Sequence, residues 1–107
     1  MISKDQINEI SEIIIKEYNP QKIVLFGSYA KGTAGKNSDL DLLIIADKEK
    51  EKPRWKRGLK LRLLLSKYTI PRDLLFYSSE EIAKWLNTPM SFVHTVLKEG
   101  KILYEQK

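Results

Sequence analysis

The stretch Asp39-Leu40-Asp41-Leu42-Leu43-Ile44-Ile45-Ala46 restricts the possible folds more than any other part of the chain. Leu40, Leu42 and Ile44 alternate with Asp39, Asp41 and Leu43, which is the two-residue period of a β-strand. Asp39 and Asp41 stand two apart, so both carboxylates leave the same face of that strand. A strand of this kind must sit in a sheet whose core accepts the leucines and whose opposite face tolerates, or uses, paired negative charge.

The flanking segments supply the rest of such a sheet. Ser3 and Gln6 form a capping box, and Ile7, Ile10 and Ile14 follow at helical spacing with Ile13 beside them. This predicts a helix from about Lys4 to Tyr18, ended by Asn19-Pro20. Lys22–Phe26 is short, apolar and rich in β-formers, hence a strand. Gly27-Ser28 turns the chain, Ser28–Gly32 starts a short helix, and Thr33–Ser38 is polar loop. Beyond the charged, exposed stretch Asp47–Pro53, Trp55, Leu59 and Leu63 recur every four residues, with Leu64 and Leu65 adjoining. They predict a helix over Arg54–Tyr68. Ile70–Tyr77 is a third strand. Ser78 and Glu81 form a second capping box before a helix over Glu80–Leu86. Thr88-Pro89 interrupts, Met90–Glu99 resumes as helix, Gly100 stops it, and Lys101–Tyr104 is a last short strand. The predicted class is α/β (α+β), a small mixed sheet with helices packed on it.

At 107 residues the chain is expected to be one domain, 1–107, because domains commonly run to about 100–150 residues. So short a chain has little room for both a catalytic platform and a separate substrate lobe, so a partner is expected to complete the surface. The absence of cysteine excludes disulfides and thiolate zinc sites. The start Met-Ile-Ser-Lys-Asp-Gln lacks a signal pattern, and apolar runs such as Leu42–Ala46 are far too short to cross a bilayer. A cytoplasmic location is the expectation. The formal charge of +5 favours phosphate-bearing or acidic partners, though only weakly.

Two carboxylates held close repel each other, and burying them without compensation is unfavourable. A divalent cation removes the conflict, and magnesium suits carboxylate oxygens combined with substrate phosphates. By itself the pair reads more readily as a turn cap beside a solvated strand residue. Upstream, Gly27-Ser28 lies between an apolar strand and a helix, where backbone amides can approach a phosphate and the serine adds a hydroxyl donor. Gly32 lets that short helix end without steric cost. In isolation this too is an ordinary tight turn.

Taken together, Gly27-Ser28-Tyr29-Ala30-Lys31-Gly32 through Ser38-Asp39-Leu40-Asp41-Leu42 resembles the Gly-Ser…Gly…Ser-Asp-x-Asp-Leu signature of the DNA polymerase β-like nucleotidyltransferases. Within that superfamily the sequence is most similar to the minimal nucleotidyltransferases, small antitoxin-type proteins paired with HEPN-domain toxins. The ending Phe92…Leu97-Lys98-Glu99-Gly100-Lys101-Ile102-Leu103-Tyr104-Glu105 resembles that family's C-terminal helix and strand. The resemblance implies a third carboxylate from a neighbouring strand. Asp73 occupies the right element in chain order, and Asp47, at a strand end among lysines, is the weaker competitor. Where relatives often carry Arg, this chain has Lys31, which keeps the charge but not a bidentate phosphate contact.

The resemblance further implies two-metal catalysis of AMP transfer from ATP to a tyrosine of a cognate HEPN RNase toxin, in a hetero-oligomer. Asp39 and Asp41 would bridge two Mg²⁺ ions and Asp73 would bind the ion beside the nucleophile. Gly27, Ser28 and Ser38 would hold the triphosphate, with Lys31 or Lys36 neutralising charge on the departing pyrophosphate. The alternative is a non-catalytic antitoxin of the same fold that binds nucleotide and neutralises its partner by occlusion. Modification of a small molecule or of RNA ends is disfavoured, because such enzymes usually carry an extra helical domain.

Other residues read more plainly. Lys48–Lys67 holds nine of the nineteen Lys and Arg residues, and reads as a solvated helix face and loop in preference to a nucleic-acid or acidic-partner grip. Trp55 is core or interface anchor. His94, the only histidine, reads as a packing or surface residue, and Tyr29 and Tyr104 as packing residues.

Overall fold

A computed structural model describes all 107 residues. Helix α1 (Lys4–Tyr18) leads into β1 (Lys22–Phe26), the short α2 (Ser28–Lys31) and β2 (Leu40–Ile45). A 3₁₀ turn (Arg54–Lys56) precedes α3 (Leu59–Leu65), β3 (Arg72–Tyr77), α4 (Ser79–Leu86), α5 (Phe92–Glu99) and β4 (Lys101–Glu105). The four strands form one sheet in the order β3-β2-β1-β4. β1 runs antiparallel to β2 and β4, and β2 runs parallel to β3, so the sheet is mixed as expected. No helix is long and apolar enough to cross a membrane.

The apolar pattern explains the layering. Ile23, Leu25, Leu42, Ile44, Leu74 and Phe76 point to one face, where they join Ile7, Ile10 and Ile14 of α1 and Leu61 and Leu65 of α3 in the larger core. Val24, Leu43 and Ile45 face the other way and meet Val96 of α5. β2 is central and covered on both sides, which is why its sequence turns from alternating to almost wholly apolar after Asp41. Each fully buried Leu or Ile here stabilises the fold by about 1.5–3 kcal/mol. Both predicted capping boxes form: Ser3 with Gln6, and Ser78 with Glu81.

The predicted helix over Arg54–Tyr68 is broken instead. Arg57 is extended and Gly58 takes a left-handed conformation with φ +69°. A side chain at Gly58 would land on the Phe76 ring. The chain therefore kinks at Gly58, and only Leu59–Leu65 continues as helix. Two smaller differences concern element starts, with β3 opening at Arg72 and α5 at Phe92 behind its Ser91 cap. Gly100 does end α5, but in an extended conformation. Its requirement is space, since a Cβ there would meet Val24 Cγ1 and the Val96 carbonyl at 2.6 Å.

Arg57 departs from the solvated basic face expected for Lys48–Lys67: it is 4% exposed. Its guanidinium donates to the carbonyls of Glu49, Lys50, Lys52 and Phe76. It also grips Glu81 at 2.7 and 3.3 Å. Sequence periodicity cannot reveal this, because a buried arginine depends on which carbonyls the loop Asp47–Pro53 presents to it. Trp55, by contrast, is 72% exposed and lies outside the core.

Removing one partner of a buried ion pair leaves the other charge unmatched. Arg57→Ala should therefore cost about 3–5 kcal/mol, measurable as a lowered urea midpoint at constant slope. Hydrogen bonds from Arg57 hold the Glu81 carboxyl down at about 2, and donors on Lys52, Tyr18 and Gly58 outweigh burial to bring Glu49 to about 2 as well. Unfolded, both would titrate near 4.5. Their contribution is thus complete above that pH and declines as pH falls towards 2, so the melting temperature should drop steadily across that window. Glu81→Gln should flatten the drop.

Candidate active site

Three aspartates converge at one end of β2 and β3. Parallel pairing sets Asp41 opposite Asp73 as register partners, so their carboxylates project from the same face of adjacent strands. Neighbouring strands lie about 4.8 Å apart. Asp39 lies just before β2, and its charge is felt at the Asp41 carboxyl. The Leu40 amide donates to the Pro71 carbonyl at 2.9 Å, which ties the start of β2 to the start of β3 and holds these positions level. This is the face that carries Leu43 and Ile45 towards α5, away from the larger core.

The cluster is electrostatically unresolved. Asp39 and Asp73 are exposed and Asp41 is half-buried. No lysine or arginine forms an ion pair with any of the three. Burial, then the charges of Asp73 and Asp39, push the Asp41 carboxyl above its ordinary value. A sheet that sets like charges together without a counter-charge has the chemistry of a divalent-cation site. The side chains do not enclose such a site by themselves, since no three His, Cys, Asp or Glu side chains stand as a ready-made metal cage. Magnesium is normally held by one or two carboxylates together with substrate phosphates.

Gly27 completes the geometry. It caps α2 with φ +74°, and a Cβ at this position would fall on the Asp41 carboxylate. Only glycine lets the turn approach Asp41 so closely, and the approach brings the first amides of α2 beside the acidic cluster. Phe26, just before the turn, is the register partner of Asp41 on β1.

The other sequence-predicted residues are engaged differently. Lys31 is exposed at the end of α2, with Nζ 3.9 Å from Glu99 Oε2 of α5. The Ser38 hydroxyl accepts from the Gly35 amide at 2.8 Å, closing the turn that delivers Asp39. Lys36 is exposed in the same loop. Asp47, the competitor for the third carboxylate, lies beyond the opposite end of β2. There it accepts from the Ser79 amide, the Ser79 hydroxyl and Gln21, which hold its carboxyl below the usual range. His94 donates through Nδ1 to the Leu86 carbonyl and so joins α5 to the end of α4. The Tyr29 hydroxyl accepts from the Ile2 amide at 2.8 Å, fastening the N-terminal segment over α2. Sequence gave no sign of that contact, because Ile2 carries no pattern that distinguishes it.

A raised carboxyl value means that ionising Asp41 costs the folded state more than the unfolded one. The loss grows as pH rises through the carboxylate range and is complete at neutral pH. In chelator at pH 7, Asp41→Asn should therefore melt above the wild type, and acidification to about pH 3 should erase the difference. Added Mg²⁺ should raise the wild-type melting temperature and leave that of the variant unmoved, as followed by calorimetry.

Two proteins of Methanocaldococcus jannaschii, each named "Putative protein adenylyltransferase", are similar in sequence. One is 39% identical over 84 residues, covering 78% of each chain. The second is 35% identical over 74 residues, covering 69% of this chain and 70% of the other. A crystal structure described as a putative nucleotidyltransferase from Sulfolobus solfataricus matches the fold with a TM-score of 0.63 at 20% identity, over 94% of this chain and 78% of that one. A chain from a crystal structure of a toxin–antitoxin with AMP-PNP matches with a TM-score of 0.58 at 27% identity, over 94% of this chain and 73% of that one. The profile of the family described as "Polymerase beta, Nucleotidyltransferase" matches residues 8–107. Spanned almost end to end by that match, the chain belongs to the polymerase β nucleotidyltransferase family and is of its minimal type.

Proposed function

We propose that this nucleotidyltransferase moves AMP from ATP onto a hydroxyl of a partner protein, a tyrosine of a cognate HEPN RNase toxin, and thereby acts as its antitoxin. The observation that carries the reading is the register pairing of Asp41 with Asp73 beside a glycine turn packed on Asp41. The names of the two M. jannaschii relatives support a protein acceptor, and the toxin–antitoxin match supports a toxin as that acceptor. AMP-PNP in that related structure supports an adenine nucleotide as donor.

The roles follow from position, with residues 1–107 acting as one domain. Asp41 of β2 and Asp39 just before it would hold magnesium together with Asp73 of β3. Magnesium supplies charge neutralisation at the triphosphate and an acidified attacking hydroxyl. Gly27 and the Ser28 amide and hydroxyl cradle the phosphates where α2 begins. Asp73, the more exposed register partner, orients the acceptor hydroxyl and takes up its proton. Lys31 exchanges its long contact with Glu99 for the departing pyrophosphate, and Ser38 keeps the Asp39 loop in shape. Nothing in this chain covers Asp39 and Asp73, so the acceptor's own surface excludes water during transfer.

The test incubates the chain with its cognate toxin, ATP and magnesium, and follows toxin mass and RNase activity. Wild type should add AMP to the toxin and silence it. Asp73→Asn should lose transfer by at least about a hundredfold while still binding the toxin. An unchanged toxin mass with wild type defeats the reading. Silencing that survives in Asp73→Asn selects occlusion over catalysis.

A further inference from the structure

The face that carries Asp41 and Asp73 continues along β3 into a cleft that the proposed chemistry leaves unused. Asp73, Leu75 and Tyr77 alternate onto that face. Four residues of strand set Tyr77 about 13 Å from Asp73. Beside Tyr77, a cleft of about 340 Å³ is lined by Arg54, Tyr77, Trp85, Ser91, Phe92 and Val93. Phe92 stacks on Tyr77 with ring centroids 6.3 Å apart and meets Phe26 edge-on at 5.6 Å. Trp85 and Phe92 nevertheless remain 41% and 45% exposed, and the adjoining Met90 is 95% exposed. The elbow between α4 and α5 thus presents large apolar side chains to solvent on the side from which an acceptor would reach Asp73.

The polar groups of the cleft define what it takes. Ser91 donates its hydroxyl to the Trp85 carbonyl and accepts from the His94 amide. It therefore offers little to the edge of a nucleotide base. Arg54 is different. Its guanidinium lies over the Tyr77 ring at 4.5 Å and stands 3.7 Å from Glu81. Glu81 is already held by Arg57 and by the Ser78 amide. Arg54 is thus anchored by stacking, shares the Glu81 carboxylate with Arg57, and stays half exposed at the lip of an apolar hole.

Resting on the adenylyltransferase reading above, we infer that this cleft seats the acceptor protein, taking an apolar or aromatic side chain flanked by a carboxylate that pairs with Arg54. An apolar anchor buried beside a charge-matched arginine is the usual composition of an interface hot spot. Anchoring there fixes the acceptor in register with Asp73 and supplies binding energy away from the reacting hydroxyl.

Two measurements test this. In the first, the dipeptide N-acetyl-phenylalanyl-aspartate is titrated into isotope-labelled protein. The Trp85 indole and Phe92 amide resonances should shift, with millimolar affinity, and Arg54→Glu should abolish the shift. In the second, transfer to the cognate toxin is compared among wild type, Arg54→Glu and Trp85→Ser. The acceptor KM should rise about tenfold, kcat should hold, and AMP-PNP affinity should be unchanged. Equal KM values in all three, or a peptide that shifts neither resonance, overturn the inference. So does AMP-PNP displacing the peptide, which makes the cleft a nucleotide site, or a dimer of this chain that Trp85→Ser dissolves. If the wild type transfers nothing to any acceptor, the adenylyltransferase reading fails by itself, while the peptide titration still decides the cleft.

Discussion

Repulsion between Asp41 and Asp73 across a parallel strand pair is the constraint around which this small fold is organised. Partial burial of Asp41, and then the charges of Asp73 and Asp39 beside it, make ionising this carboxyl unfavourable in the folded chain. What holds Asp41 and Asp73 there is the apolar remainder of the same strands. Leu42, Leu43 and Ile44 of β2 are fully buried, and Leu74 and Phe76 of β3 nearly so. Register is a collective property, so burying these side chains on their proper faces forces the aspartates together at the strand ends. The Leu40 to Pro71 hydrogen bond closes the pair just beside them.

Arginines do comparable work on the outer side of β3. As an edge strand it would expose unpaired carbonyls to any passing chain. Arg62 donates to Leu74 and Arg57 to Phe76, while Arg72 takes the carbonyls of Leu65, Tyr68 and Ile70 just before the strand. Three of the cations behind the basic charge of the chain are therefore internal braces. The charge left for partners sits on lysines and on Arg54, which rearranges the meaning of a net +5. A simple count of basic residues overstates the affinity for phosphate that such a surface can offer.

Much of the architecture was legible in the linear order. Helix α1, with isoleucines at helical spacing and a capping box, and β2, with its alternating start and apolar remainder, are both dictated by local chemistry. The helix over Arg54–Tyr68 failed for a reason of the same physics at longer range. Its four-residue apolar spacing was real, but Phe76 occupies the space that a side chain at position 58 would need, and Gly58 yields by turning left-handed. Trp55 then falls on the solvent side of the kink, outside the repeat it had helped to define.

The sequence alone determined that Asp41 turns away from Leu40 and Leu42, because successive side chains of a strand leave opposite faces. It also determined that a glycine turn would follow β1. Only the tertiary structure decided that Asp73 joins Asp41, since parallel pairing between residues 32 positions apart in sequence is set by the packing of both faces at once. The same is true of Gly27 against Asp41 and of Arg57 inside its cage of carbonyls. Local periodicity encodes which way a side chain points. Which side chains meet depends on how separate segments share one core.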